Sequence, residues 1–576
     1  MKFELLPNEI FIECFQYLNA PDVFYSFDRL NDRFYTLVRT IPLWLNFEKF
    51  KKSKFNQFCQ IILSNPELKH QIISLKLSNN GTRGQTGEFL SLFPLNEFIN
   101  LRSLSLIDLK EENVEQLRPM LALLSNLYYF SYTDLEYYIL KILSMLLTSK
   151  LRILSIPVFE YSTSILEQMS ITSLTISSCS WNTLSEVLEY ALALNYLKIE
   201  RLYNDVGGDY PLNYFTKNAV RLKQLIINDC EADFEMIEKR LKSTPNLTIF
   251  TIKTNIYASV INADRWQHLI ESSLLHLRVF NFCFSCFIST DSYNDMLNKF
   301  QQFQTNFWSK QHHWHTNYEH NERSASIHTM PYVWNKYTLV TSSNNYGNLK
   351  GFDKVTELVL SQMTIKYNSP YYFNNVKSLE LINEDHFDIH PDEYMLQKDQ
   401  IKFLNNIVNL SNIEHLKIPE SDYISSSSLL LEILKELPNV SSLEINKRSL
   451  ILFVKDHELR KYLNTKITTL YLNKKTATKR LYTFGSRVEY IQYEEVGLLL
   501  QAFSNLEQLY CNFQYFIHLF LVLEKFSKLS IITSRYITKE VHSWIRENAS
   551  KFDVYIDFCE IYNDYDDDDD DDELDL

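Results

Sequence analysis

One pattern limits this chain more than any other feature: L-x-x-L-x-L, with Ile, Val, Phe or Tyr standing in for Leu. It begins at Ile72, Leu101, Leu127, Leu151, Ile171, Leu194, Leu222, Leu247 and Leu277, and after a break at Val355, Val376, Ile413, Val440, Ile467, Val488 and Leu506. Most spacings lie between 18 and 30 residues, enough for one strand and one helix. Alternation within each segment predicts a short strand, whereas Leu184 to Leu192 and Phe234 to Leu241 carry the helical period. A unit this small cannot bury its own apolar face and does so only by stacking on its neighbours. The predicted fold class is therefore α/β: a curved solenoid with parallel strands inside and helices outside. A doubly wound α/β domain also alternates strand and helix. It needs a glycine-rich βα turn, which this chain of 9 glycines lacks, and the strand count is too high.

A second signal lies three residues beyond the last apolar position of several segments, at Asn80, Cys179, Cys230 and Asn255. A small polar or sulfur side chain buried there can satisfy backbone groups of the turn. The repeats fall in two blocks, 71–282 and 355–560, around an insert at 283–354. The insert concentrates Trp308, Trp314 and Trp334 with His312, His313, His315, His320 and His328. Insertions in solenoids collect on one face, often the binding face, and aromatics are common interface anchors. The three tryptophans are therefore the candidate target-binding residues, although the same side chains can plug the insert onto the repeats.

Chemistry is sought elsewhere without success. Cys283 and Cys286 have CxxC spacing but lack the second pair of a zinc ribbon. The insert histidines form no helical His-x-x-x-His pair with carboxylates at ligand spacing. Gly81, Gly84 and Gly87 lack both the ending of a P-loop and the start of a dinucleotide turn. The expectation is no catalytic residue, no metal, no cofactor and no enzyme activity. Net charge is −14, but residues 564 to 576 hold ten acidic and no basic residues, and setting them aside takes −14 to −4. Nothing here suggests nucleic acid or an anionic membrane as partner, and residues 561–576 are expected to be a disordered acidic tail. No apolar run of membrane-spanning length occurs, the N-terminus lacks a signal-peptide plan, and the eight cysteines are scattered as for reduced thiols. The expected setting is intracellular and soluble, cytoplasmic or nuclear.

The first 44 residues follow a different rule. Leu6, Ile10, Cys14 or Phe15, and Leu18 recur at helical spacing behind Pro7, which suits a first helical turn, and two further short helices follow to about Arg39. Leu6, Pro7, Glu9, Ile10, Phe15, Tyr17, Leu18, Asp22 and Trp44 match the pattern of an F-box. Val23 replaces Leu, and Phe34 replaces the central Trp. Residues 1–46 thus resemble an F-box of three helices, 47–70 reads as a linker helix, and the whole resembles an F-box protein with leucine-rich repeats. That resemblance implies a substrate-recognition subunit of an SCF-type ubiquitin ligase. A Skp1-like adaptor, and through it a cullin, would bind Leu6, Pro7, Ile10, Phe15, Leu18, Asp22, Val23, Leu30 and Phe34, while the repeats hold an unknown protein target. The alternative is an interaction scaffold that carries an F-box but does not direct ubiquitination.

Overall fold

The computed structural model describes residues 4, 6–48, 52–79, 84–109, 111–133, 139–146, 150–158, 170–204, 219–255, 258–287, 293–320, 324–339, 351–361, 364–365, 371–382, 396, 398–418, 424, 426–472, 489–548, 551–552 and 554–562. The acidic tail beyond 562, Asn80, Gly81 and Val488 lie outside them. The chain divides into two compact units, Met1–Thr316 with Ser326–Thr329, and Asn317–Ala325 with Met330–Leu576.

The first unit begins with three short helices, α1 (Asn8–Phe15), α2 (Ala20–Phe27) and α3 (Asp32–Val38). Strands β1 (Leu43–Asn46), β2 (Ile72–Ser78), β3 (Ser103–Ile107), β4 (Tyr129–Thr133) and β5 (Ile153–Val158) follow. Then come β6 (Ser173–Ser180), β7 (Tyr196–Tyr203), β8 (Gln224–Cys230), β9 (Ile249–Thr254) and β10 (Val279–Phe287); the residues of β11 (His315–His320) and β12 (Ser324–Met330), next in the chain, are divided between the two units. The sheet order is β1 through β10, then β12 and β11. From β1 to β10 neighbours in sequence are neighbours in the sheet and pair in parallel. All nine segments predicted before the break are strands of this sheet.

Register explains why the leucines recur. One inward row runs Leu45, Leu75, Leu104, Phe130, Leu154, Leu174, Leu197, Leu225, Phe250 and Phe280, each opposite the next, and every member is buried. Full burial of one such side chain contributes about 1.5–3 kcal/mol, so the row is continuous core that no repeat owns alone. A second row holds Cys179, Leu202, Cys230 and Thr254 in register, all fully buried. The turn position predicted at Asn255 is therefore filled by Thr254. Asn80 lies outside the described residues; its neighbour Asn79 is buried. Its Nδ2 donates to the Asp108 carbonyl and its Oδ1 accepts from Thr86 N at 3.1 Å, so one amide side chain ties two adjacent repeats.

Residues 47–70 are not a linker. β1 already pairs with β2, Leu43 opposite Ile72 and Leu45 opposite Leu75, so the repeat array starts inside the F-box-like segment. The helix α4 (Lys52–Ser64) follows β1 as outer helices follow later strands. Its Phe55 and Phe58 pack on Phe47 at ring distances of 5.0 and 6.4 Å.

In the second unit the sheet order is β13 (Lys336–Leu339), β14 (Glu357–Ser361), β15 (Ser378–Ile382), β16 (His415–Ile418), β17 (Ser442–Ile445), β18 (Thr469–Tyr471), β19 (Gln508–Tyr510), β20 (Ile531–Thr538) and β21 (Tyr555–Tyr562). All pairs are parallel. Leu358, Leu379, Leu416, Leu443, Leu470, Leu509, Ile532 and Ile556 form its buried row. Two expectations change here. The insert is not wholly outside the repeats, because its residues 336–339 are the first strand of this sheet. The segment predicted from Val488 is not a sheet strand: β18 pairs directly with β19, and Tyr490 makes only an isolated bridge to Asn512. A helix, Lys539–Asn548, lies between β20 and β21.

Candidate functional site

The N-terminal helices sort their apolar residues onto two sides. Phe11, Phe15, Val23, Phe24, Phe34, Leu37 and Val38 are buried. Phe11 meets the Phe34 ring edge-on at 4.8 Å, and Phe27 lies 4.8 Å from Phe15 and 5.4 Å from Phe34. Arg33 fixes the entering chain, donating to Asn8 Oδ1 at 2.8 Å and to the carbonyls of Glu4 and Leu6. Asn31 caps α3 by accepting from Phe34 N at 3.0 Å, a contact typically worth about 1 kcal/mol. Arg39 pairs with Asp28, and this hydrogen bond holds the guanidinium pKa above its ordinary value.

The other side of α1 is uncovered. Ile10 is 45% exposed, Tyr17 86% and Leu18 38%, and Cys14 is exposed as well. Ile10 and Cys14 stand at i and i+4 on α1, one helical face, and Tyr17 and Leu18 follow in the turn after its last residue. Tyr25, Leu30 and Tyr35 are exposed on the following helices. The nine residues expected to meet an adaptor therefore divide. Phe15, Val23 and Phe34 are core of the helical unit, Leu6 is half-buried, and Pro7, Ile10, Leu18, Asp22 and Leu30 reach the surface. Tyr17, Tyr25 and Tyr35 are additional exposed apolar groups. Tyr17 was visible in the motif, while Tyr25 and Tyr35 carried no signal separating them from core aromatics.

The helical unit is stapled to the sheet. Asn19 Nδ2 donates to the Asn46 carbonyl at 2.7 Å, and Asn46 N donates back to Asn19 Oδ1 at 2.9 Å. Asn46 belongs to β1, so the start of α2 is tied to the first strand.

The three candidate target-binding tryptophans are not exposed, which corrects the expectation of open anchors. Trp308 is 0% exposed, Trp314 7% and Trp334 9%. In the first unit, Trp308 lies among Phe282, Phe303, Phe307 and Trp314 at ring distances of 6.0, 4.8, 5.3 and 6.0 Å. Trp314 stacks on His312 at 4.2 Å and donates from Nε1 to the Arg278 carbonyl at 3.2 Å. In the second unit, Trp334 packs against Tyr332 at 5.2 Å. An aromatic run of this kind secures the insert by burying ring area.

The open face of the second sheet carries a cleft of about 390 Å³ lined by Thr356, Glu357, Lys377, Ser378, His415, Lys417, Glu444 and Tyr471. Register places it. Glu357, Ser378, His415 and Ser442 stand side by side in one outward row, and Glu380, Lys417, Glu444, Tyr471 and Tyr510 in the next. Ser378 is small and leaves the hollow between its larger neighbours. His415 Nδ1 lies 2.6 Å from Ser442 Oγ, and its Nε2 lies 3.7 Å from Glu444. Tyr471 stacks on Tyr510 at 3.9 Å, and burial pushes its hydroxyl pKa up. Sequence reading missed this cleft because its residues are polar, scattered over more than a hundred positions, and brought together only by strand register.

Among the described residues no group of three or more His, Cys, Asp or Glu is placed to hold a metal, and no helix is long and apolar enough to cross a membrane. Cys283 and Cys286 are both buried in β10, and burial pushes the Cys286 thiol up to about 11. His328 is buried and its pKa is pushed down to about 3 by that burial.

No protein-family model matches the chain, and no curated protein matches it. Among solved structures it is similar to one titled the crystal structure of the Rad7 and Elc1 complex in yeast, at 11% identity, covering 76% of this chain and 88% of that chain with a TM-score of 0.30. It is also similar to the LRR protein LIC12759 of Leptospira interrogans, at 10% identity, covering 90% and 96% with a TM-score of 0.17. The repeat architecture described above rests on the strand registers themselves.

Proposed function

We infer that the chain is a non-catalytic receptor subunit of an SCF-type ubiquitin ligase. In this reading its N-terminal helices dock on a Skp1-like adaptor and its repeats hold a protein target. The observation that carries it is the two-sidedness of α1. Phe11 and Phe15 are spent on the core, while Ile10 and Cys14 on α1, with Tyr17 and Leu18 in the turn after it, are exposed among the described residues, in a segment with the residue order of an F-box. Such a face buries itself on a partner, as exposed apolar patches commonly do. The subunit would then act through effective concentration, holding target lysines near a ubiquitin-loaded enzyme carried elsewhere on the ligase. Target contact falls to the open sheet faces and not to Trp308, Trp314 and Trp334, which are committed to packing.

The test is affinity purification of the full chain and of a chain lacking residues 1 to 44, followed by mass spectrometry. The reading expects an adaptor and a cullin with the full chain, neither with the truncated one, and ubiquitin conjugates on a co-purified target. An adaptor without cullin or conjugates would point to an interaction scaffold. No adaptor in either sample would remove the docking reading.

A further inference from the structure

The strand entries of the first sheet carry a row of cations. The residues just before β3 to β10 are joined by one ladder of backbone hydrogen bonds. Tyr128 N donates to the Arg102 carbonyl, Arg152 N to that of Tyr128, Thr172 N to Arg152 and Asn195 N to Thr172; Lys223 N, Thr248 N and Arg278 N continue in the same way. Arg102, Arg152, Lys223 and Arg278 therefore share one rim, with only neutral residues between them. Lys150 and Arg221 stand two residues ahead of Arg152 and Lys223 at the same strand ends. All six cations are exposed, and no carboxylate of the described residues pairs with any of them. Lys150 donates to Asn126 Oδ1 at 3.1 Å and Arg152 to the Ser170 carbonyl at 2.7 Å, both neutral acceptors. The matching ladder of the second sheet differs. It runs from Asn335 through Thr356, Lys377, Glu414, Ser441 and Thr468 to Glu507, with one cation and two carboxylates, and its Lys377 is paired with Glu414 at 3.3 Å. Repeat geometry does not by itself demand a basic rim, and a row of one sign attracts the opposite charge.

We propose that this rim docks an acidic, extended segment of the target protein, with Asp and Glu side chains seated on Arg102, Arg152, Lys223 and Arg278. From β3 to β10 there are seven strand steps, about 34 Å at about 4.8 Å each, which about ten residues of extended chain span. Guanidinium forks grip carboxylates through two parallel hydrogen bonds, and four of the six cations are arginines. A nucleic acid fits less well. Its charge runs past both ends of so short a row, onto a body that is net negative at −4 even with the acidic tail set aside. Single strands are also held by several stacking aromatics, and the row contains Tyr128 alone. This inference rests on the reading that the repeats hold the target, whose chemistry it names, but not on adaptor docking.

The probe is a fluorescein-labelled peptide of about ten residues, the span of the rim, alternating Glu with Ser and read by anisotropy on the full chain. It should bind, more weakly as salt is raised, and its counterpart with Gln for Glu should not. The chain with Arg152→Gln and Lys223→Gln should bind the peptide about tenfold less tightly or worse, as expected when charge-assisted contacts are lost. Arg152→Lys with Lys223→Arg keeps the charges and should retain most of the binding. Lys435→Gln with Lys455→Gln, exposed cations of the second unit, should leave it unchanged. Thermal melts followed by circular dichroism should match across all these surface variants. No binding of the Glu peptide, an unchanged affinity in the Arg152→Gln, Lys223→Gln chain, or an equal loss in the Lys435→Gln, Lys455→Gln chain would overturn the proposal. So would a single-stranded or duplex DNA of equal charge that binds the rim more tightly than the peptide. Peptide binding that appears only when Asp566 to Asp572 are changed to Asn would give the rim to the chain's own tail and overturn it too. Failure of the adaptor to bind would leave all these measurements unaltered, so the two ideas fail separately.

Discussion

Two adjacent residues of α1 should respond in opposite ways. Phe11 is fully buried, with Phe34 at 4.8 Å, Phe15 at 6.1 Å and the Arg33 guanidinium 5.3 Å over its ring. Phe11→Ala removes that packing, and truncations of this kind cost about 3–5 kcal/mol. Three short helices hold little reserve, so the unit should open, seen as lost hydrogen-exchange protection over residues 8–38. Ile10 is 45% exposed. Ile10→Asp should leave protection within about 0.5 kcal/mol, as surface changes do. On the adaptor it forfeits burial of the exposed half of an isoleucine, about 1 kcal/mol. It also strands a carboxylate on an apolar contact at about 2 kcal/mol or more. Together that is about 3 kcal/mol, or roughly 150-fold in Kd by calorimetry or interferometry. An unchanged Kd for Ile10→Asp with intact protection would show that this face is not the docking surface. Loss of protection in Ile10→Asp would show that the two faces of α1 are assigned wrongly.

Trp308→Ala and Trp314→Ala should each lower the unfolding free energy, by about 3–5 kcal/mol for the fully buried Trp308, and leave the target affinity of the remaining folded protein unchanged. Cys179, Cys230 and Cys511 should resist a thiol reagent until denaturation, while Cys14 reacts in the native state and is shielded by bound adaptor. His328 binds a proton less readily folded (about 3) than unfolded (about 6.5). Between those values the unfolded state holds more protons, so stability is full above pH 6.5 and falls as pH drops. The loss at pH 5 is about 2 kcal/mol, and His328→Leu should flatten that limb of a pH–stability curve. Asn19→Ala removes both bonds to Asn46 and should cost about 1–2 kcal/mol. It should reduce ubiquitin transfer to the target more than it reduces either adaptor or target affinity.

The leucine rows were legible because they obey two independent rules at once. Leu75, Leu104 and Leu174 alternate within their strands and recur at repeat spacing, and only stacked parallel strands satisfy both. Where one rule was missing, reading failed. β1 lies in Leu43-Trp44-Leu45-Asn46, residues already assigned to a helical motif, and no apolar triplet precedes it. β13 is four residues long and has no leucine lead. Val488 to Tyr493 alternates well enough, yet it supplies no sheet strand, because alternation does not say which strands neighbour one another. The tryptophans show the deeper limit. Interface anchors and core plugs use the same side chains, so burial had to be observed. The face proposed for the adaptor was half legible for the same reason: the motif names Phe15 and Phe34 alongside Ile10 and Leu18 without telling core from surface.

Sharing β1 between the helical unit and the sheet bears on how a receptor of this kind would act. A linker helix between the two would let the docking face swing, and effective concentration falls as the volume swept by a tether grows. Here Leu43 to Asn46 are held opposite Ile72 to Lys76, Asn19 grips Asn46 from α2, and Phe24 of the same helix meets Phe58 of α4 at 5.9 Å. Swinging the helices away from the strand would break ladder bonds, the asparagine staple and a ring contact together. The direction of the uncovered α1 face is thus set relative to the first repeats by core packing. In a ligase, an adaptor bound there would inherit that direction, and a target held along the first sheet would be presented at a fixed bearing from it.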